Sequence, residues 1–396
     1  MEDAGRTLGV EEEFLLVDPV TRQVSPAAPA VLAAAGDAPG DGGRFHPELL
    51  TGQVEHATGV CRDLPELERQ LVAGRRRLAL AASAHGVRLL ASGTAVTTAD
   101  APVTAGPRYD RIARRFAGVV TDYHACGCHV HVGVPDRDTA VAVVNHLAPW
   151  LPTLLALSAN SPFERGKDTG YASWRAVRQC GFPGNGLPPW CGSARAYDAM
   201  VERLVECGVL VDAHMTFWFA RPSGRLPTVE VRAADAVTEP AEAVLQAAIT
   251  RALVRSALGD LAAGREAAPV DPQLGAAAVW SAARHGMTGP AVDPLTGTCA
   301  GAWEQTDRLL QHIGPALEDT GDLAAVRRGL DGLRRHGTGA ERQRRAAARA
   351  PGTDPAAAVV DMLIRRTVSV RNRQEWDDLA RAPVTSTEDP DPTEAP

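Results

Sequence analysis

Lysine is nearly missing from this chain: among its 41 basic residues only Lys167 is not an arginine. Alanine and glycine are abundant, so we read the bias as the composition of a GC-rich coding sequence and give arginine content little functional weight. A basic excess is missing too. The formal net charge is −7, which argues against a nucleic-acid partner. Long apolar runs are also lacking. The stretch from Leu147 to Leu157 is interrupted by Pro149, Pro152 and Thr153 and is too short to cross a bilayer. The opening Met-Glu-Asp-Ala-Gly-Arg is acidic and has no signal-peptide core. A cytoplasmic protein with no membrane partner is therefore expected. The 7 cysteines, an odd number, then fit reduced thiols. Familiar catalytic signatures are absent as well. No Gly-x-Gly-x-x-Gly follows a strand, Gly166-Lys167 lacks the earlier glycine of a phosphate loop, and no Gly-x-Ser-x-Gly elbow occurs.

What is present is enough apolar sequence for a sizeable core in 396 residues, as one large unit or two modest ones. The opening run Gly9-Val-Glu-Glu-Glu-Phe-Leu-Leu-Val17 reads as a strand with three carboxylates in its middle. Glutamate is a poor strand former, and acids facing a core are costly unless paired or metal-bound. Alternation puts Glu11, Glu13 and Leu15 on one side and Glu12, Phe14 and Leu16 on the other. Glu11 and Glu13 then stand roughly 7 Å apart on one sheet face. That is either a cation site or a solvent-facing edge strand. Glu12 faces away, and its replacement is expected to matter far less than that of either neighbour.

Further along, Gln53 to Val60 alternates as a second strand, and Asp63 is a helix N-cap for a segment running to about Ser83. Val87 to Ala91 is a buried-type strand, and residues 108–122 look helical. Cys126 to Val134 alternates, with His129 and His131 on one face. A helix to about Ser158 is bent by Pro149 and Pro152. Residues 20–46 are rich in alanine, proline and glycine, while 160–193 show no clear period, and a loop as long as the second is usually functional. A helix near 195–207, an apolar strand over 209–219 and a strand through Thr228-Val-Glu-Val-Arg232 follow. The rest reads as helical, starting with 240–262 and broken at 264–273 and 286–299. Strands concentrate before residue 236 and helices after it, which predicts an α+β fold. We expect one domain over 1–382 and a disordered acidic tail over 383–396.

Acids thus recur on alternating faces: Glu11 and Glu13, then Glu55, then Glu230, with His129 and His131 on another strand. Converging strands would make a carboxylate cluster suited to Mg²⁺, a hard cation that takes oxygen ligands and often shares them with nucleotide phosphates. Arg232, two residues after Glu230, could hold a phosphate or carboxylate through paired hydrogen bonds. Zinc fits the Cys126-Gly-Cys-His-Val-His131 run poorly. Adjacent Cys128 and His129 must face opposite sides, although the His-x-His pair alone could serve a metal-dependent hydrolase. The arginine-rich segment from Arg334 to Arg349 is either a phosphate-binding segment or a solvated helix face.

Taken together, the motifs resemble those of the carboxylate–amine ligases of the glutamate–cysteine ligase type 2 group. That group is related to the glutamine synthetase fold, which guanidino kinases also resemble. The matching stretches are Gly9–Phe14, Val54–Cys61, Gly127–Gly133, Leu154–Phe163, Asp168–Ser173 with Arg175, Thr228–Arg232 and Gly339–Arg344. The resemblance implies a mainly antiparallel sheet with flanking helices, ATP, and two or more Mg²⁺ ions. It implies that a substrate carboxylate is activated as an acyl phosphate and captured by an amine to give an amide. By analogy, Glu13 and Glu55, with Glu48, would hold one ion, and Glu11, His129 and Glu230 a second. Glu230 and Arg232 would be catalytic. Ser173, Arg175, Arg232 and His131 would bind substrate or nucleotide. A small-molecule acid and amine are the expected partners, and a homo-oligomer, with a dimer favoured, is expected. Two departures bear on specificity: Ala95 stands where the group commonly has histidine, and Glu164 where it tends to have tryptophan. The alternatives are a guanidino phosphotransferase of similar fold and the His-x-His hydrolase.

Overall fold

The computed structural model describes residues 4–39, 42–98, 100–350 and 354–368, so the expected tail over 383–396 lies outside the described residues. Seven strands form the main sheet: β1 (Leu8–Val17), β2 (Arg44–Pro47), β3 (Gln53–Ala57), β4 (Arg88–Leu90), β5 (Gly127–Gly133), β6 (Ala220–Pro222) and β7 (Thr228–Asp235). Their order is β6-β7-β5-β1-β3-β2, and β4 pairs with the end of β1. Every pairing in this sheet is antiparallel. The acid-rich β1 is therefore central, not an edge.

The helices are α1 (Ala28–Ala35), α2 (Leu64–Ala84), α3 (Pro107–Phe116), α4 (Arg137–Leu147), α5 (Leu151–Ser158), α6 (Trp174–Gln179), α7 (Ala194–Glu206), α8 (Pro240–Ala262), α9 (Pro272–His285), α10 (Ala302–Thr320), α11 (Leu323–His336), α12 (Gly339–Ala348) and α13 (Pro355–Thr367). Only one face of the sheet is packed by helices into the main core. There Val10, Cys128, Val130, Val132, Val229 and Val231 meet apolar residues of α2, α4, α5 and α8. The fold is the mixed helix and antiparallel-sheet arrangement expected from the strand-then-helix order.

Local chemistry explains several boundaries. Asp63 accepts the N–H of Glu66 at 2.7 Å and so caps α2, a contact worth about 1 kcal/mol. Pro149 and Pro152 fall where α4 gives way to a short turn of 3-10 helix and then α5. The composite Arg137–Ser158 is long and apolar enough to cross a membrane by length and composition alone, but 78 % of its apolar window is buried inside the protein. It is a core element.

The helical break expected at 286–299 does separate α9 from α10, and Pro290–Val292 pairs there with Cys299–Gly301. Two expectations need correction. The strand expected over 209–219 shrinks to Phe217–Trp218. The N–H groups of Val209 and Leu210 both bond to the Leu204 carbonyl, so the chain curls back onto α7. Glu12 does face away from Glu11 and Glu13, but it is no silent position. It is 1 % exposed, and its two oxygens take Nη2 and Nε of the buried Arg75 at 2.5 and 3.0 Å. Arg75 also donates to the carbonyls of Val237, Thr238 and Thr367. Glu12 is thus half of a pin joining β1, α2 and the segments around α8 and α13.

Candidate active site

The sheet face opposite the main core carries the acids because the register puts them there. Glu11 pairs with His129, Glu13 with Glu55, and Glu230 with both His131 and Arg221. Residues directly opposite in an antiparallel pair share a face. With Glu48, which follows β2, these side chains line a cavity of about 820 Å³. Among the described residues it contains five carboxylates, all glutamate.

The carboxylates fall into two groups. Ligand atoms of Glu13, Glu48 and Glu55 lie within 4.8 Å of one another, as do those of Glu11, His131 and Glu230. The first group is the one expected from sequence, with Glu48 a full member. The second contains His131 where His129 was expected. Glu230 is opposite His131 in the register, which brings that imidazole to the acid pair. His131 Nε2 is 3.2 Å from Glu11 Oε1, and Nδ1 is 2.9 Å from the Thr228 hydroxyl. That second contact fixes the ring orientation, as partners of metal-binding histidines commonly do. His129 sits between the groups, with Nδ1 3.3 Å from Glu11 and Nε2 3.7 Å from Glu13.

The two groups differ in charge state. Burial works against ionisation of Glu11 and Glu230. Even so, hydrogen bonds from His129 and His131 hold Glu11 below the usual carboxylate range, and the charges of Arg232 and Arg221 hold Glu230 well below it. In the other group burial dominates. It pushes Glu13 up to about 8, with help from the Glu48 charge and against Arg175 and Arg232. Burial also raises Glu48. Burial plus the charges of Glu11, Glu48 and Glu13 raise Glu55 well above its ordinary value. Burial and the Arg232 charge push His129 down to about 4, so it is neutral at pH 7. His131 is raised: burial opposes its charge, but Glu11 overrides it.

These donors suit a hard divalent cation. Burial makes the charge on Glu13, Glu48 and Glu55 unfavourable without one, and carboxylate oxygens are what Mg²⁺ prefers. Arg232 adds the positive edge. It bonds Glu230, approaches His129 Nδ1 at 3.4 Å, and keeps a buried Nε without a hydrogen-bond partner. Arg221, which sequence reasoning missed, grips Glu230 through two bonds at 2.9 and 3.3 Å. Its position opposite Glu230 depends on strand pairing, for which the Arg-Pro dipeptide gives no signal.

Arg175 and Ser173 play different parts. Arg175 lines the cavity while its guanidinium donates to the carbonyls of Arg232 and Ala233 at 3.2 and 3.4 Å. Gly127 permits this approach. A Cβ there would lie 2.5 Å from Arg175 Nη2 and 2.7 Å from His129 Nε2, and the Gly127 N–H donates to Glu13 at 2.6 Å. Ser173, expected to bind ligand, is not in the cavity wall. Its hydroxyl donates to Asp235 at 2.8 Å and accepts the Ala176 N–H at the start of α6. Asp235, also missed, is fully buried and further accepts from the Asn160 N–H and the Ser161 hydroxyl. The signal was available in part: Asn160, Ser161 and Ser173 all lie in stretches that stood out in the sequence. Ala95 and Glu164 do not line the cavity either. Ala95 is buried in a separate apolar cluster, and Glu164 pairs with Arg178 of α6.

Comparison with known proteins identifies the family and the fold. The model of glutamate-cysteine ligase family 2 (GCS2) matches residues 7–370. A Saccharopolyspora erythraea protein, provisionally named glutamate–cysteine ligase 2-2, is 58 % identical over 347 residues, 87 % of this chain and 89 % of that protein. A solved Francisella tularensis glutamate–cysteine ligase in complex with AMP superposes with a TM-score of 0.64 at 12 % identity, over 94 % of this chain and 91 % of that one. A bifunctional glutathione synthetase from Pasteurella multocida superposes at 0.67 and 14 % identity, over 93 % of this chain and 52 % of that one.

Proposed function

This chain belongs to glutamate–cysteine ligase family 2, and from that premise we propose that it is an ATP-dependent ligase joining a small-molecule carboxylate to an amine. The observation that carries the reading is the pair of acid groups on one sheet face, with Arg232 reaching toward both. A site meant for a carboxylate and a triphosphate cannot bring five glutamates to them unless cations intervene. Glu13, Glu48 and Glu55 would hold one Mg²⁺, and Glu11, His131 and Glu230 another. Bound there, Mg²⁺ supplies charge neutralisation for phosphoryl oxygens.

The residues of the chain supply position and charge. A carboxylate is a poor electrophile until one oxygen carries a phosphoryl group. The γ-phosphoryl of ATP moves to that oxygen, giving ADP and an acyl phosphate. The amine lone pair then forms the C–N bond as the bond from carbon to the phosphate oxygen breaks, and a proton leaves nitrogen. Arg232 offers guanidinium hydrogens to the transferring phosphoryl group or the substrate carboxylate. Arg221 holds Glu230 in place, and Arg175 supports the backbone that presents Arg232. Neutral His129 spaces the two acid groups without adding charge.

The test is phosphate release from Mg-ATP across a panel of acids and amines, glutamate and cysteine first. Release that requires both an acid and an amine is expected. Glu11→Gln and Glu230→Gln should each lower turnover by about 10²-fold or more. ADP formed without free phosphate would indicate transfer to a guanidino group, and no stimulation by any pair would end the ligase reading.

A further inference from the structure

The arginine-rich segment from Arg334 to Arg349 divides in two. Arg334 pairs with Asp307 and stacks on Trp303, and Arg344 pairs with Asp168. The others border a surface-open cavity of about 480 Å³, lined by Arg335, His336, Arg342, Arg345, Arg349 and Arg366 together with Ala346 and Met362, and of these basic residues only Arg342 is buried. Among the described residues its wall has no acid and shares none of its lining with the sheet cavity. Three helices contribute. Arg335 and His336 end α11, while Arg342, Arg345 and Arg349 follow one another at helical spacing along α12 and its cap. Arg366 comes from the last turn of α13.

Local contacts neutralise only part of this charge. Arg342 is paired with Glu242 at 2.6 Å and Arg366 with Glu239. Arg345 donates to the His336 carbonyl, a dipole rather than a charge. Arg335 and Arg349 have no hydrogen-bonding or ion-pair partner for their side chains among the described residues. Arg342 is 8 % exposed, and its buried Nε has no hydrogen-bond partner. Helix-end carbonyls favour nearby cations, but that accounts poorly for arginines from three helices gathered around one space. Like charges so close repel, and the arrangement is stabilised if an anion enters.

We propose that this cavity, formed by α11, α12 and α13, binds a small ligand bearing two or more phosphoryl groups. Guanidinium forks match phosphoryl oxygens two at a time, and the arginines outnumber what a single phosphoryl group can engage. Hydrogen bonds also tie α12 to the buried Asp235. On α12, Gln343 donates to the backbone and side-chain oxygens of Asn160 at 2.9 Å each. Asn160 in turn donates to Asp235, the buried acceptor beneath α6.

The probe is pyrophosphate, titrated calorimetrically into the full-length protein without Mg²⁺, with inorganic phosphate as the weaker comparison. Arg335→Ala/Arg349→Ala removes two exposed, unpaired side chains. It should leave the urea midpoint unchanged and weaken pyrophosphate binding tenfold or more. Arg232→Met, in the sheet cavity, should leave binding unaltered. Loss of binding in Arg232→Met with retention in the double variant would place the probe in the sheet cavity and overturn the proposal. Absence of binding to the wild-type chain would overturn it too. So would binding that emerges only after Glu388, Asp389, Asp391 and Glu394 are neutralised, because the occupant would then be the chain's own acid-rich terminus.

Discussion

Glu11, Glu12 and Glu13 are identical side chains in consecutive positions, yet each has a different electrostatic task. Glu11 is held ionised by two imidazoles, and Glu13 is pushed toward its protonated form by burial and a neighbouring carboxylate. Glu12 is locked to a guanidinium on the other side of the sheet. The consequences for mutation run against intuition. Glu12→Ala, on the sheet face away from the ligand cavity, strands Arg75 as a buried unpaired charge and should cost about 3–5 kcal/mol. Glu55→Gln, in the cavity, removes a carboxylate whose charge is disfavoured on all sides. It should leave the cation-free protein as stable or more stable while abolishing turnover. Urea midpoints without Mg²⁺ measure both, and a larger loss for Glu55→Gln than for Glu12→Ala would contradict the assignments. The period of two made it legible that Glu12 points away. Its partner was not legible, since Arg75 lies 63 residues on and looks like any other helix arginine.

At the scale of elements, sequence spoke clearly where a single local rule sufficed. Asp63 caps α2, the two prolines divide α4 from α5, and α8 runs over the expected span. It failed where tertiary contact overrode local pattern. Apolar Val209 and Leu210 curl onto α7, and His131 instead of His129 joins Glu230 because strand register, not spacing, decides neighbours. Gly74 shows the same dependence. A glycine in the middle of α2 is locally unfavourable by about 1 kcal/mol relative to alanine. A Cβ there would nevertheless lie 2.0 Å from the His56 ring, which is buried and rests against Phe45. Overpacking a core usually costs about 1–3 kcal/mol, so Gly74→Ala should destabilise despite its helix propensity. Gly74→Ala in a His56→Ala background should instead be stabilising. A double-mutant cycle from urea unfolding gives the coupling, and additive effects would show that the close approach is not what excludes alanine.

For the molecule as a whole, the cavity concentrates negative charge in a protein that is already acidic, and this should appear as a cation-dependent pH profile. Glu13, Glu48 and Glu55 all have folded-state values above the ordinary 4.5. Above that pH they are ionised in the unfolded chain while the folded chain still holds protons. Their stabilisation is therefore complete at low pH and is lost as pH rises, through about 8 for Glu13. His131, raised above 6.5, acts in the same sense. His56, His124 and His129 lie near 4 and act oppositely, but mainly below the ordinary 6.5. Glu11 and Glu230, held low, contribute fully above 4.5. The window from about pH 7 to 8 is thus one of falling stability for the protein in EDTA. A divalent cation changes the sign of the argument. Its ligands must be deprotonated, so affinity rises with pH over the same window, and binding stabilises the folded state by mass action. Thermal melts in EDTA should fall from pH 7 to 8, and melts in saturating Mg²⁺ should stay level or rise. The difference between the two should shrink sharply in Glu13→Gln and Glu55→Gln. Parallel profiles with and without Mg²⁺ would mean that these carboxylates do not take the ion.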